Sequence, residues 1–285
     1  AERTLVSCEQ LRERAGITDV LLPPHLDPSE RYDTWANVIL PNGRRLRGEL
    51  FFDESAQAIL APVLHLFDVH VKAPRTWHIP WSPGATPDDR VMADTEFFRG
   101  REVVVTAKVD GESASIYGPD GYVHARRVEP LATPDSGRVK ALAMEIGGDI
   151  PPEWRVCGEN LTRMHTIHYT NLPSHERWFF NVFNVWNARN ECLGWDEVVE
   201  WSALLDLPTV PVLYRGPWDE AAVKASWTPT FQGDPCEGYV VRLADGFPFR
   251  DYRRAVGKYV RAKFHQSKAN DSYRYDAPVF NRTRA

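Results

Sequence analysis

Arg101-Glu-Val-Val-Val-Thr-Ala-Lys-Val-Asp-Gly-Glu-Ser-Ala-Ser-Ile-Tyr117 reads as a strand, a charged interruption and a second strand. The β-branched run at 103–106 predicts a buried strand. It delivers one lysine, Lys108, followed at once by Asp110 and Gly111. Beyond them Ser113 and Ser115 alternate with Ala114 and Ile116, the period-2 pattern of a half-buried strand. A lysine at the lip of an apolar strand either snorkels to water or has its amine held for chemistry. Lys-x-Asp-Gly alone does not decide between these, because so short a pattern recurs by chance.

The 285 residues suffice for one large domain, or for a domain of about 200 residues plus a small module. With 43% hydrophobic and 12% aromatic residues, the chain can bury a sizeable core and is not globally disordered. There is no apolar run of membrane-spanning length and no signal-peptide pattern at Ala1-Glu-Arg-Thr, so no membrane partner and a cytoplasmic location are expected. Cys8, Cys157, Cys192 and Cys236 are far apart, which argues against a zinc knuckle and for reduced thiols.

A net charge of −5 argues by itself against nucleic-acid binding. Its distribution does not. Residues 250–285 carry ten Lys/Arg against three Asp, so that segment is +7 and the preceding 249 residues are −12. A local basic stripe matters more to phosphates than the global sum. Tyr252, Tyr259, Phe264, Tyr273 and Tyr275 are interleaved with it and are able to stack on bases, whereas a plain solvated tail has no need of them.

In chain order, Ser7-Cys-Glu-Gln10 is a capping box for a short helix that Gly16 closes. Strands are expected at 35–40 and 45–52 about the Pro41-Asn-Gly43 turn. Residues 1–72 read as a small β-rich appendage, an OB-like module or the outer part of the main sheet, and 73–285 as the principal domain. Arg44, Arg45 and Arg47 would suit a phosphate-facing module. The Pro-rich residues 74–89 predict no regular element, either a packed connector or a loop bordering a site. Gly118-Pro-Asp-Gly121 predicts a hairpin into 122–127, which would bring Arg126 or Arg127 back beside the lysine strand. Helices are expected at 136–146, with Val139, Leu142, Ala143 and Ile146 on the apolar face, at 196–205 and at 219–226. Further strands are expected at 154–161, 178–186, 237–243 and 256–264. The pattern is α+β, with mostly antiparallel sheets flanked by helices.

Four stretches line up behind Lys108: Val156-Cys-Gly-Glu-Asn160, Phe179-Phe-Asn-Val-Phe-Asn-Val-Trp186, Cys236-Glu-Gly-Tyr-Val-Val-Arg242 and Gly257-Lys-Tyr-Val-Arg-Ala-Lys263. Each is weak alone. Gly-Glu pairs abound, and an aromatic strand is more often core than a base-stacking wall. In this order and spacing they resemble the covalent lysyl-nucleotidyltransferases, that is DNA ligases, RNA ligases and capping enzymes. With Pro74-Arg-Thr-Trp-His-Ile-Pro80, His124-Ala-Arg-Arg127 and Gly158-Glu-Asn-Leu161, the chain is most similar to the RNA ligase 2-like branch. The resemblance covers about residues 72–265 and implies the ATP-grasp-like ligase fold.

It also implies an ATP-dependent RNA ligase, working through a lysyl–AMP intermediate with Mg²⁺ or Mn²⁺ to join 5′-phosphate and 3′-hydroxyl ends in RNA repair. In that scheme Lys108 is the nucleophile. Lys258, Lys263 and Arg261 handle phosphate, and Glu237 is the metal-associated carboxylate. Glu159 contacts ribose, Phe183 stacks on the purine, Arg126 contacts phosphate or ribose, and Asp110 and Gly111 belong to the nucleotide site. A free lysine is protonated at neutral pH, so the cations of the Lys258 strand and a bound metal are expected to depress its pKa. Implied partners are broken or nicked RNA and an end-healing kinase or phosphatase, and the protein is expected to be a monomer.

Two positions depart from the family pattern. Ala107 stands where RNA ligases commonly carry a Glu that helps read adenine, so ATP is expected but GTP stays open. The last motif reads Lys258-x-x-Arg261-x-Lys263 rather than Lys-x-Lys, leaving the working pair open. The competing readings are a GTP-dependent capping-type guanylyltransferase and a nucleic-acid-binding protein with an inactive nucleotidyl site. Against the first, the chain ends some 20 residues after the last motif, too few for a C-terminal OB domain. Against the second, Lys108, Asp110, Glu159 and Glu237 are all present. His165 and His168 have metal-pair spacing, but no third ligand sits at a useful distance along the chain.

Overall fold

The computed structural model describes residues 36–39, 45–48, 67–68, 70–71, 73–126, 131, 136–262, 264 and 279–283. The helix expected at 7–16, together with Cys8, Arg127 and Lys263, lies outside the described residues. The chain divides into two compact units, Ala1–Arg75 with Arg126–Glu129, and Thr76–Ala125 with Pro130–Ala285. In the smaller unit β1 (Ala36–Ile39), β2 (Arg45–Gly48) and β3 (Phe67–Asp68) form an antiparallel sheet in the order β2-β1-β3.

The larger unit begins with β4 (Trp77–His78), β5 (Glu102–Lys108), β6 (Glu112–Tyr117) and β7 (Val123–His124). Helix α1 (Gly137–Ile146) leads to β8 (Arg155–Asn160), β9 (Phe180–Trp186) and β10 (Glu191–Cys192). After α2 (Trp195–Leu204) come β11 (Val212–Pro217) and α3 (Glu220–Ala225). The chain continues through β12 (Thr230–Phe231), β13 (Asp234–Pro235), β14 (Gly238–Leu243) and β15 (Phe247–Pro248). It closes with the single turn α4 (Tyr252–Ala255) and β16 (Val256–Val260).

Two sheets carry the fold. One has five strands in the order β11-β5-β14-β16-β4, the other six in the order β15-β10-β9-β8-β6-β7. The run at 103–106 becomes β5 because it sits inside the five-stranded sheet, where both faces are covered and β-branched side chains pack best. The next strand, β6, pairs with β8 in the other sheet. Lys108-Val-Asp-Gly111 is therefore the crossover from one sheet to the other.

Helices α1 and α2 cover the six-stranded sheet. Val139, Leu142, Ala143 and Ile146 of α1 are buried, as their spacing predicts. They join Ile116, Val156, Val182, Val185 and Val198 in one apolar cluster. Trp201 packs on Trp154 with ring centroids 5.2 Å apart, and Leu205 completes the apolar face of α2. None of the helices described is long and apolar enough to cross a membrane.

Two expectations are corrected. The Pro-rich segment contains a strand: β4 pairs in parallel with β16, Trp77 against Gly257 and His78 against Lys258. Prolines exclude a long strand but leave room for a two-residue edge pairing between them. Second, β7 pairs with β6 at the edge of the six-stranded sheet, so the hairpin pairs with the strand after the lysine and not with β5 itself. The crossover had already carried the chain out of the lysine's sheet.

Candidate active site

Lys108 ends β5 opposite Gly238, the first residue of β14. Glu237 immediately precedes that glycine. Lys108 Nζ donates to Glu237 Oε2 at 2.7 Å, with the lysine side chain 21% exposed and the carboxylate side chain 4% exposed. The pair is thus anchored by adjacent strands and opens to solvent only at the amine. Gly238 is required by packing: a Cβ there would lie 1.9 Å from Tyr259 O, so any side chain would push β14 off β16. Ala107 alternates to the opposite face beside Tyr239, so its methyl points away from the Lys108 side.

Glu159 reaches the crossover from β8, its Oε1 accepting from Gly111 N at 3.1 Å. A Cβ on Gly111 would lie 2.4 Å from Asn160 O, so this glycine is demanded by the end of β8. The resemblance places the same glycine in the nucleotide site.

Asp110 is 2% exposed and points the other way. Its Oδ2 accepts from Thr166 N at 2.6 Å and Ile167 N at 2.8 Å, and its own N–H donates to Tyr169 Oη at 2.9 Å. The carboxylate expected in the nucleotide site therefore holds the 161–172 segment.

Asp234 and Asn281 brace the same segment. Asp234 accepts from Thr170 N and Asn171 N. Asn281 accepts from Tyr169 N at 2.8 Å and donates to Leu161 O and Arg163 O. Tyr169, Asp234 and Asn281 were invisible in the sequence because each acts through backbone groups distant in the chain, which leave no local pattern.

The protein's own groups act on Lys108 in the direction opposite to that expected of a bound metal and the Lys258-strand cations together. Burial opposes the charge of Lys108, but the negative charges of Glu237, then Glu159 and Asp110, outweigh it and hold the amine above its ordinary value. Burial, with the charges of Glu237 and Asp110, pushes Glu159 up to about 8 although Lys108 pulls against it. Burial likewise raises Glu237, against Lys108 and Lys258. Among the influences on the lysine, the three carboxylates outweigh burial, and Glu237 is in direct contact at 2.7 Å. In this state Lys108 is an ammonium.

Phe183 sits at a β-bulge. Cys157 pairs with Asn184 and Gly158 with Val182, leaving Phe183 as the extra residue. It is half-buried and packs against both large apolar clusters of the unit. Its neighbour Asn184 accepts from buried Arg242 at 2.7 Å, tying the two sheets together.

Lys258 pairs with Val240 on β14 and lowers the pKa of Glu237, so its charge is felt in the site. Arg261 N donates to Glu237 O at 3.0 Å, and its guanidinium lies over Phe264 at 5.3 Å. Its Nε is buried with no hydrogen-bond partner among the described residues, which suits an incoming anion. Arg126 is exposed and belongs to the smaller unit.

Among the described residues no three His, Cys, Asp or Glu form a metal cluster. His168 Nε2 is engaged by Phe280 O at 3.1 Å, which speaks against the paired-histidine metal site. Burial, with neighbouring carboxylate charge, raises Glu159 and Glu237, and such a setting fits a divalent cation held by one or two carboxylates, with phosphate oxygens and water completing its shell. Cys157, Cys192 and Cys236 are buried free thiols.

Residues 101–260 match the family model for RNA ligase. No curated protein sequence matches the chain. Among solved structures, it is similar to an archaeal ATP-dependent RNA ligase (TM-score 0.44, 17% identity, 68% of this chain and 49% of that one). It is also similar to a mutant Naegleria gruberi RNA ligase with ATP and Mn (TM-score 0.44, 17% identity, 82% and 81%). A third is a putative ATP-dependent DNA ligase from Aquifex aeolicus (TM-score 0.38, 19% identity, 57% and 44%). The chain spans about half the length of the archaeal ligase.

Proposed function

The chain belongs to the RNA ligase family, and we propose that it is an ATP-dependent RNA ligase that joins 5′-phosphate to 3′-hydroxyl ends through a lysyl–AMP intermediate. The observation that carries this reading is the Lys108–Glu237 contact at 2.7 Å, with Glu159 held at the same crossover. Few structural roles call for one amine beside two buried carboxylates and a third that is partly buried. A nucleophile that must stay charged and oriented until a polyphosphate arrives does call for it.

In the first step Lys108 Nζ loses its proton and attacks the α-phosphorus of ATP. The P–N bond forms, the bond to pyrophosphate breaks, and pyrophosphate leaves. Glu237, already accepting from Nζ, is positioned to take the proton. Its raised pKa makes it a better base than an exposed carboxylate. Lys258 and Arg261 face the developing negative charge. Glu159 holds ribose and Phe183 stacks on the purine. A divalent ion at Glu237 would neutralise phosphate charge and favour loss of the lysine proton.

In the second step an oxygen of the RNA 5′-phosphate attacks the same phosphorus and Lys108 leaves, regaining a proton. In the third a 3′-hydroxyl attacks the activated 5′-phosphate and AMP departs. Where breakage leaves other end chemistry, a kinase or phosphatase would have to heal the ends first, which places the activity in RNA repair. In this reading 73–285 is the adenylylating domain and 1–72 a separate small module. All the residues invoked come from one chain, so a monomer suffices.

The test is incubation with Mg²⁺ or Mn²⁺ and α-labelled ATP or GTP. Label from ATP that is lost in Lys108→Ala supports the ligase. Label from GTP points to a capping-type guanylyltransferase, and no label from either sinks the enzymatic reading.

A further inference from the structure

The segment bound by Asp110 has a second edge that the adenylylation chemistry does not use. Residues 161–172 are joined there by 279–283, more than a hundred residues later in the chain. Met164 N donates to Val279 O at 2.8 Å, Asn281 N to Thr162 O at 3.2 Å, and Arg282 N to Tyr169 O at 3.1 Å. Arg163 and Phe280 form an antiparallel bridge, and Leu172 bridges Thr283. With the three side-chain bonds of buried Asn281, this holds the backbone of Phe280 in place.

The ring itself is not buried. Phe280 is 53% exposed and Val279 42% exposed. Exposing a large ring on a firmly tied backbone forfeits apolar burial that a small change in direction would recover. Directly opposed residues of an antiparallel bridge project to the same face, so Arg163 emerges on the side of Phe280. Arg282 is exposed, and His168 donates from Nε2 to Phe280 O. Across 161–172 and 279–283 there are Arg163, His165, His168 and Arg282, and no acidic residue. This ledge continues the basic, aromatic-bearing character of residues 250–285, and the carboxylates that brace it, Asp110 and Asp234, are bound to its backbone amides.

It is also close to the chemistry. Thr166 N is 2.6 Å from the carboxylate of Asp110, two residues from Lys108, and Arg163 lies four residues beyond Glu159. Consecutive Cα atoms are about 3.8 Å apart, so the ledge borders the lysine's site.

We propose that this ledge docks the RNA strand whose 5′-phosphate accepts AMP from Lys108, with a base stacked on Phe280 and flanking phosphates held by Arg163 and Arg282. This rests on the ligase reading and adds the polynucleotide subsite to it. An exposed ring stacks on any base, while the cations meet the backbone, so the subsite reads strand chemistry and not sequence.

The test separates the nucleotide step from the RNA step in the full chain. Lysine labelling from α-labelled ATP needs no RNA and reports the nucleotide site. Anisotropy of a fluorescein-labelled, 5′-phosphorylated RNA 12-mer reports docking. Phe280→Ala is expected to weaken RNA binding about tenfold, the worth of one stacked base, and Phe280→Trp to restore it. In Arg163→Gln/Arg282→Gln the slope of log Kd against log salt should fall by about 1.4, two phosphate contacts at 0.7 each.

Unchanged RNA affinity in these variants, with labelling intact, overturns the ledge and leaves the ligase reading standing. Labelling lost in Phe280→Ala also overturns it, because the residue would then serve the nucleotide step. Absence of label in the unaltered protein defeats the ligase reading itself.

Discussion

Glu237 meets Lys108 one residue away from the Lys108↔Gly238 register position, at the point where β14 begins. The ion pair is therefore set by strand pairing and needs no flexible loop to assemble. Charge and nucleophilicity are opposed in an amine, and the resting state favours charge. Glu237→Gln removes the largest influence raising the pKa of Lys108. The free protein should then react faster with a lysine-directed reagent at pH 8, read as modification of Lys108 by mass spectrometry. Adenylylation should fall on the order of 100-fold, because the proton acceptor is gone.

Glu159 gives a signature in stability. Its folded pKa is raised from 4.5 to about 8, so the folded state binds its proton more tightly than the unfolded state. That contribution is fully present below pH 4.5 and is lost as pH rises through 8. Because its side chain keeps partial contact with solvent, the swing should be on the order of 2 kcal/mol and not the full shift. Urea unfolding midpoints of the unaltered protein should drop between pH 5 and pH 8.5. In Glu159→Gln that drop should shrink, and an equal drop in both proteins would remove Glu159 as its origin.

Asp110→Ala strands the N–H groups of Thr166 and Ile167, at about 1–3 kcal/mol for each buried donor left unpaired. Hydrogen exchange at those two amides should accelerate, and that of the β8 amides much less. Asp110→Asn keeps one acceptor oxygen and should recover part of the protection.

Gly111→Ala forces a methyl against Asn160 O, whereas Gly148 has open space around it. The first substitution should cost about 1–3 kcal/mol and lower labelling, because Glu159 sits on the strand that must move. Gly148→Ala serves as the matched control and should stay within about 0.5 kcal/mol of the parent.

How much of this was legible follows from the kind of interaction involved. The β-branched run of β5 and the apolar face of α1 announced themselves through periodicity, a local property. Lys108, Glu159 and Glu237 were visible because each stands at a strand end within a motif of fixed order. Asp110 was visible as a residue but not in its role, since its partners are backbone amides some 56 residues away. Asn281 and Asp234 gave no signal for the same reason. Strand β4 was hidden by prolines that flank its two residues without entering them. The direction of the Lys108 shift could not be read either, because it depends on how burial and the charges of three carboxylates balance.

The unpaired residue in β9 has a consequence for how Phe183 can be altered. Asn181 before the bulge and Asn184 after it face Glu159 and Cys157 in register, so every pairing holds with Phe183 outside the count. The position behaves as an insertion the sheet already accommodates. Deleting it should leave both neighbouring faces with their present occupants, whereas deleting Val182 or Asn184 would bring Phe183 into the vacated pair. The ring can thus be exchanged without shifting the register of β9, although it packs against both apolar clusters.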